Sequence, residues 1–137
     1  MPPLSPLHRH GLRDTLPRRN VLRVLVGANR ILTIPTIQRR LRVQKQQIGL
    51  VTLYRVTKAL ERVGLVHRHP DGGLSACTQP HMSCGHLILR CTSCGSVKET
   101  HDHRLCKSEE SVSKRAGFRV LRTILDIPGL CSHCQPG

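Results

Sequence analysis

Two Cys-x-x-Cys pairs, Cys91-Thr-Ser-Cys94 and Cys131-Ser-His-Cys134, stand with residues 95–130 between them. This spacing constrains the fold more than any other feature. One pair places two thiolates on one edge of a tetrahedron, and a second pair closes the geometry of a structural zinc site. Such a site would tie the end of the chain back to residue 91. The chain needs that tie, because Tyr54 and Phe118 are its only aromatic residues. A core must come from Leu, Ile and Val, and a short lobe built this way is marginal without a metal or a partner subunit. A redox dithiol is the rival use of Cys-x-x-Cys. Two matched pairs without a thioredoxin-like βαβ context favour metal.

There are seven cysteines, an odd number. The segment MPPLSPLHRHGLRD lacks the apolar run of a signal peptide, and no segment approaches a membrane span. The expectation is therefore a cytoplasmic chain with reduced thiols, without a disulfide framework, whose cysteines bind metal or react. Charge divides the chain. Residues 1–76 hold 14 Lys/Arg against 3 Asp/Glu, and residues 77–137 hold 8 against 5. A basic half joined to a nearly balanced Cys/His-rich half points to a polyanion for the first, most simply nucleic acid.

The pattern predicts a flexible N-terminal arm over 1–14, a DNA-binding domain over 15–78 and a metal-binding domain over 79–137. In PRRNVLRVLVGA, Val21, Leu22, Leu25 and Val26 share a helical face. Thr33 is placed to cap a second helix with Pro35 in its first turn and Ile34, Ile37 and Leu41 at helical spacing. Leu53, Val56, Leu60 and Val63 define a third helix, closed by Gly64. LVHRH and LSACT around PDGG then form a hairpin. Three short helices and a hairpin are the order of a winged helix-turn-helix. Beyond it, HLILRC and SVKETH are strand candidates, residues 104–116 suit a helix ended by Gly117, and FRVLRTILDI is a β-prone run stopped by Pro128-Gly129. The fold class is thus α+β.

No enzyme signature is present: there is no His-Glu-x-x-His, His-x-Glu, phosphate loop or Gly-x-Ser-x-Gly. A closed four-cysteine site also lacks the open position that a catalytic zinc needs.

VTLYRVTKALERVGLVHR resembles the recognition helix and wing entry of the ferric uptake regulator family, with Leu53 where the family pattern has Val. The CTSCG and GLCSHC knuckles resemble that family's structural zinc site. The resemblance spans roughly residues 17–134. It implies a dimeric, metal-dependent DNA-binding repressor with an N-terminal winged helix and a small C-terminal α/β dimerisation domain. It also implies a second, regulatory metal, and so zinc at two per chain. His67, Cys77 and Glu99 look most like the ligands of the zinc uptake regulator branch. His86 is the preferred fourth ligand, with Cys84 or His81 as substitutes. Thiolate, imidazole and one carboxylate together suit zinc better than manganese or iron(II). A third site known in some members needs a carboxylate and a His where this chain has Cys106 and Thr123, so that site is expected to be absent. His101 and His103 are open between surface residues and auxiliary ligands. His8, His10, His69 and His133 read as solvated, and Cys106 as a small buried apolar residue.

In a helix-turn-helix, the N-terminal residues of the recognition helix meet base edges in the major groove. Here these are Thr52, Tyr54 and Arg55, with Thr57, Lys58, Arg40, Arg42 and Lys45 near phosphates. Arg pairs bidentately with guanine, and a Tyr ring packs on a thymine methyl. The functional expectation is a zinc-responsive repressor of metal-uptake genes on a palindromic double-stranded operator. The alternatives are the same family sensing iron, nickel or peroxide, or a zinc-ribbon adaptor that senses nothing.

Overall fold

The computed structural model describes residues 6–80, 82, 84–121 and 123–136. The chain divides into two compact units, one ending at Cys77 and one beginning at Thr78.

The first unit opens with a short helix, α1 (Pro6–Arg9). Residues 6–14 are not the loose arm expected from composition. Leu7 and Leu12 are buried in the core, and the Leu12 amide bonds the Leu7 carbonyl. Two leucines in a polar stretch carry no periodicity, so pattern reading passes over them. Helix α2 (Leu16–Ala28) is capped by Thr15, whose side chain accepts from the Arg18 amide, and ends at Asn29 with φ 52°. Its buried face is Asn20, Val21, Val24 and Leu25; Val26 points outward at 59% exposure, correcting the face drawn through it. Helix α3 (Ile34–Val43) begins as its sequence dictates. Thr33 accepts from the Thr36 amide, Pro35 occupies the first turn, and Ile34, Ile37 and Leu41 are buried. Helix α4 (Leu50–Arg62) buries Leu53, Val56, Thr57 and Leu60. Gly64 follows with φ 86°, a left-handed conformation that glycine adopts without steric cost.

The wing is an antiparallel pair, β1 (Val66–Arg68) and β2 (Leu74–Ala76), in the register Val66↔Ala76, His67↔Ser75, Arg68↔Leu74. Leu32 adds a bridge to Leu74, with both amide–carbonyl bonds at 2.8 Å. A Cβ at Gly73 would strike the Ile31 side chain, so this approach requires glycine. Helices and wing close on one aliphatic cluster that includes Val21, Leu25, Ile37, Leu53, Leu60 and Leu74.

The second unit is a three-stranded sheet in the order β4-β3-β5, formed by β3 (His86–Cys91), β4 (Val97–His101) and β5 (Ile124–Gly129). β3 pairs antiparallel with β4 and parallel with β5. Strand β5 starts later than the β-prone run suggested, and it carries Pro128 and Gly129 opposite Arg90 and Cys91 rather than stopping before them. β5 lies at the sheet edge, where a missing N–H is tolerated. Helix α5 (His103–Ala116) is capped by Asp102 and closed by Gly117 at φ 74°. The Asp102 carboxyl is held down to about 2, chiefly by hydrogen bonds from the Arg104 side chain and then its amide. α5 buries none of its side chains.

Candidate metal centres and nucleic-acid interface

The four paired cysteines meet because of strand register. Parallel pairing sets Cys91 at the end of β3 beside Gly129 at the end of β5, and the Thr92 amide bonds the Gly129 carbonyl at 2.9 Å. Each knuckle then turns back over its strand end. The Gly95 amide bonds the Cys91 carbonyl at 3.0 Å, with φ 78° at Gly95, and the Cys134 amide bonds the Cys131 carbonyl at 3.0 Å. The sulfurs of Cys91, Cys94, Cys131 and Cys134 all lie within 4.8 Å of one another, and Cys94 Sγ is 3.8 Å from Cys131 Sγ. A tetrahedral zinc with Zn–S bonds of about 2.3 Å sets its sulfurs roughly 3.8 Å apart. Donor chemistry and spacing therefore fit a closed, structural ion.

The thiols are electrostatically unlike. Cys91 is lowered to about 6, first by the Cys131 backbone amide and then by that of Cys94. Cys94 is lowered by the Ser96 side chain and amide, with Ser96 Oγ at 3.2 Å. Cys134 is pushed up to about 12: a bond to the Ser93 side chain lowers it, but the sulfurs of Cys131, Cys91 and Cys94 outweigh that. Amides favour the first thiolates, and crowding resists the last. A divalent cation removes that resistance.

The other expected ligands fall in two places. In the first unit, His67 in β1 is 1% exposed and pairs with Ser75. Cys77 lies two residues beyond Ser75, and its amide bonds the Leu65 carbonyl at 2.9 Å. Alternation sets both side chains on one face of the hairpin. In the second unit, His86 is fully buried, with Nδ1 2.9 Å from Glu99 Oε1 and Nε2 2.6 Å from the Met82 carbonyl oxygen. His101, opposite His86 in the β3–β4 register, brings its Nε2 to 3.0 Å from His86 Nδ1 and 3.7 Å from Glu99 Oε1. Glu99 Oε2 accepts from the Thr78 amide at 2.8 Å. The 2.9 Å between His86 Nδ1 and Glu99 Oε1 is a spacing that two ligands of one metal ion can keep. His101, open on sequence grounds, is thus part of this cluster, and its even spacing from Glu99 on a strand was the signal. His103 is exposed on α5.

Four readings of single residues are corrected. Cys84, a substitute ligand, is disulfide-bonded to Cys106, with Cα atoms 5.3 Å apart. This also overturns the expectation of no disulfide and the placing of Cys106 as a small buried apolar residue, since it is half-buried and cross-linked. The pairing joins a loop to a helix, which no local pattern reveals. His69 is buried at 3% exposure, with Nε2 2.8 Å from Ser75 Oγ, rather than solvated. Thr57 is fully buried and its hydroxyl donates to the Tyr54 carbonyl, so it cannot reach a phosphate. His81, the other substitute ligand, lies outside the described residues.

On α4, Thr52, Tyr54, Arg55 and Lys58 are exposed while Leu53 and Val56 point inward. Tyr54 is 54% exposed, too open for a core residue. Arg40, Arg42 and Lys45 are exposed around the turn before α4. Lys45, at φ 58°, closes the end of α3 in the left-handed conformation.

An exposed recognition helix beside a wing, followed by a lobe built round four cysteines, defines a metal-dependent DNA-binding regulator of the winged-helix class. The chain belongs to the ferric uptake regulator family, whose model matches residues 9–127; its members are transcription regulators, not enzymes. The ferric uptake regulation protein of Legionella pneumophila is 33% identical over 126 residues, covering 91% of this chain and 93% of that protein. The crystal structure of holo XcZur is 27% identical, covers 92% of this chain and 89% of its own, and superposes with a TM-score of 0.78. The Vibrio cholerae ferric uptake regulator is 28% identical over 91% of this chain and 96% of its own, with a TM-score of 0.60. No helix among the described residues is long and apolar enough to cross a membrane.

Proposed function

We propose that this chain is a zinc-responsive repressor that binds a palindromic DNA operator as a homodimer in the cytoplasm and controls metal-uptake genes. Cys91, Cys94, Cys131 and Cys134 hold a structural zinc. His67, Cys77, His86 and Glu99 hold an exchangeable one, giving two per chain. Thr52, Tyr54 and Arg55 read bases, and Lys58 meets phosphate.

The observation that carries the zinc reading is the donor set. His67, Cys77, His86 and Glu99 are partly or fully buried, and the set mixes one thiolate and two imidazoles with a single carboxylate. Iron(II) and manganese favour harder, oxygen-rich ligands. The higher TM-score to holo XcZur than to the Vibrio cholerae ferric regulator supports the same choice. The ferric name of the Legionella pneumophila relative favours the second reading, iron, with this chain's thiolate against it.

Zinc acts by binding the DNA-competent arrangement more tightly than the other, so DNA must tighten zinc by the same factor. Gel-shift titrations with zinc, iron(II), manganese and nickel test the reading. Zinc should stimulate binding at the lowest free concentration. Cys77→Ala should abolish that stimulation while one zinc per chain stays bound. Stimulation by iron(II) at lower concentration than zinc, or an unchanged zinc response in Cys77→Ala, overturns the assignment.

A further inference from the structure

Neither the structural cluster nor the proposed sensor uses the bond between Cys84 and Cys106. We propose that these two cysteines are a reversible dithiol–disulfide site, closed by hydrogen peroxide, that orders the loop before β3 and the start of α5. The balance is simple. Two thiols lose two hydrogens to one peroxide, the S–S bond forms, and two waters leave. A dithiol reductant reverses it by exchange.

The backbone brings the pair together. Cys84 precedes Gly85, whose φ is 75° and whose carbonyl accepts from the Asp102 amide at 3.3 Å. A Cβ at Gly85 would sit 2.8 Å from the Asp102 carbonyl oxygen and 3.0 Å from Cys106 Sγ. The loop can therefore lie against the first turns of α5 only because residue 85 is glycine. Both cysteines are partly exposed and line the same solvent-open cleft, so a small oxidant reaches them. α5 buries no side chain, so the covalent bond is the firmest tie between this helix and the loop. Cys84 also stands two residues before His86, and closure fixes the chain entering that buried ring. Disulfides that form in a reducing compartment are mostly transient and redox-sensing, and a DNA-binding protein works in such a compartment.

The test uses the full chain with its metal bound and requires neither DNA nor the exchangeable zinc, so its failure is separate from failure of the sensing proposal. The reduced protein is treated with hydrogen peroxide, alkylated and mapped by mass spectrometry. Expected first is a linked peptide joining Cys84 to Cys106, lost again on reduction, while the four-cysteine cluster keeps its metal. Amide hydrogen exchange over residues 84–90 and 103–110 should be about tenfold slower in the oxidised protein. In Cys106→Ser it should stay at the reduced rate whatever the oxidant. First oxidation at Cys91, Cys94, Cys131 or Cys134, a linkage that reductant does not open, or equal exchange in both states overturns the proposal. Peptide mapping of the unaltered chain decides even if Cys106→Ser does not fold.

Discussion

The two units reach order by different means. The first closes on aliphatic side chains contributed by α1 to α4 and the wing, with Leu53, Leu60, Val21 and Ile37 wholly out of solvent. In the second, Ile88 and Cys91 are the only buried apolar residues among those described, while Leu89, Phe118, Leu121, Ile124, Leu125 and Ile127 are exposed. One unit is held by the hydrophobic effect. The other is held by strand pairing and sulfur chemistry, with these apolar side chains left exposed. A lobe whose single aromatic, Phe118, lies exposed can be small if cross-links replace area, because each cross-link removes unfolded conformations that burial would otherwise have to outweigh.

The sharpest way to break this comparison is to remove a knuckle thiol. Cys94→Ser should empty the four-cysteine cluster and unfold the second unit, since structural zinc supplies on the order of 10 kcal/mol in small domains. Amides of α2 to α4 should keep their exchange protection. Metal analysis and hydrogen exchange read both halves of the result; a folded, metal-free second unit would refute it.

Leu53→Ala is the reciprocal cut. It should destabilise the first unit by about 2–5 kcal/mol through lost burial and a residual cavity. Denaturant melts should show this, with cluster metal content unchanged. Simultaneous metal loss would mean that the units do not fold by separate means.

Arg55 and Lys45 sharpen the first unit's role. Arg55→Ala should cost roughly 1–3 kcal/mol of discrimination between operator and scrambled DNA. Lys45→Ala should weaken both DNAs alike and reduce the salt slope by about one. Competition binding at several salt concentrations decides. Equal loss on both DNAs for Arg55→Ala would reduce it to one more positive charge.

The smallest effect lies at a cap. Thr33→Ala should cost about 1 kcal/mol, because the Thr36 amide loses its acceptor at the start of α3. Thermal melting of the first unit should report it, and no change would mean that Pro35 alone fixes that turn.

Much of the first unit was legible, because short-range rules govern it. Thr33 and Pro35 mark a helix start, Leu53, Val56 and Leu60 its neighbour's inner face, and Asp71-Gly72 a turn. Leu7 and Leu12 were missed because no period marks them, and Val24 was missed although it stands three residues after Val21 on the same helical face. The Cys-x-x-Cys spacing announced the four-cysteine cluster, since two ligands three residues apart are a local fact.

What the sequence determined by itself is therefore local: helix caps, apolar faces, hairpin, paired knuckles and the charge difference between the halves. What only the tertiary structure decided depends on residues far apart in the chain. Parallel pairing of β3 with β5 brings Cys91 to Gly129 and closes the cluster. The β3–β4 register sets His101 beside His86. The approach of Gly85 to Asp102 joins Cys84 to Cys106 across 22 positions. None of these leaves a periodic trace, because a contact between distant segments is set by how whole elements pack, not by the residues next to it.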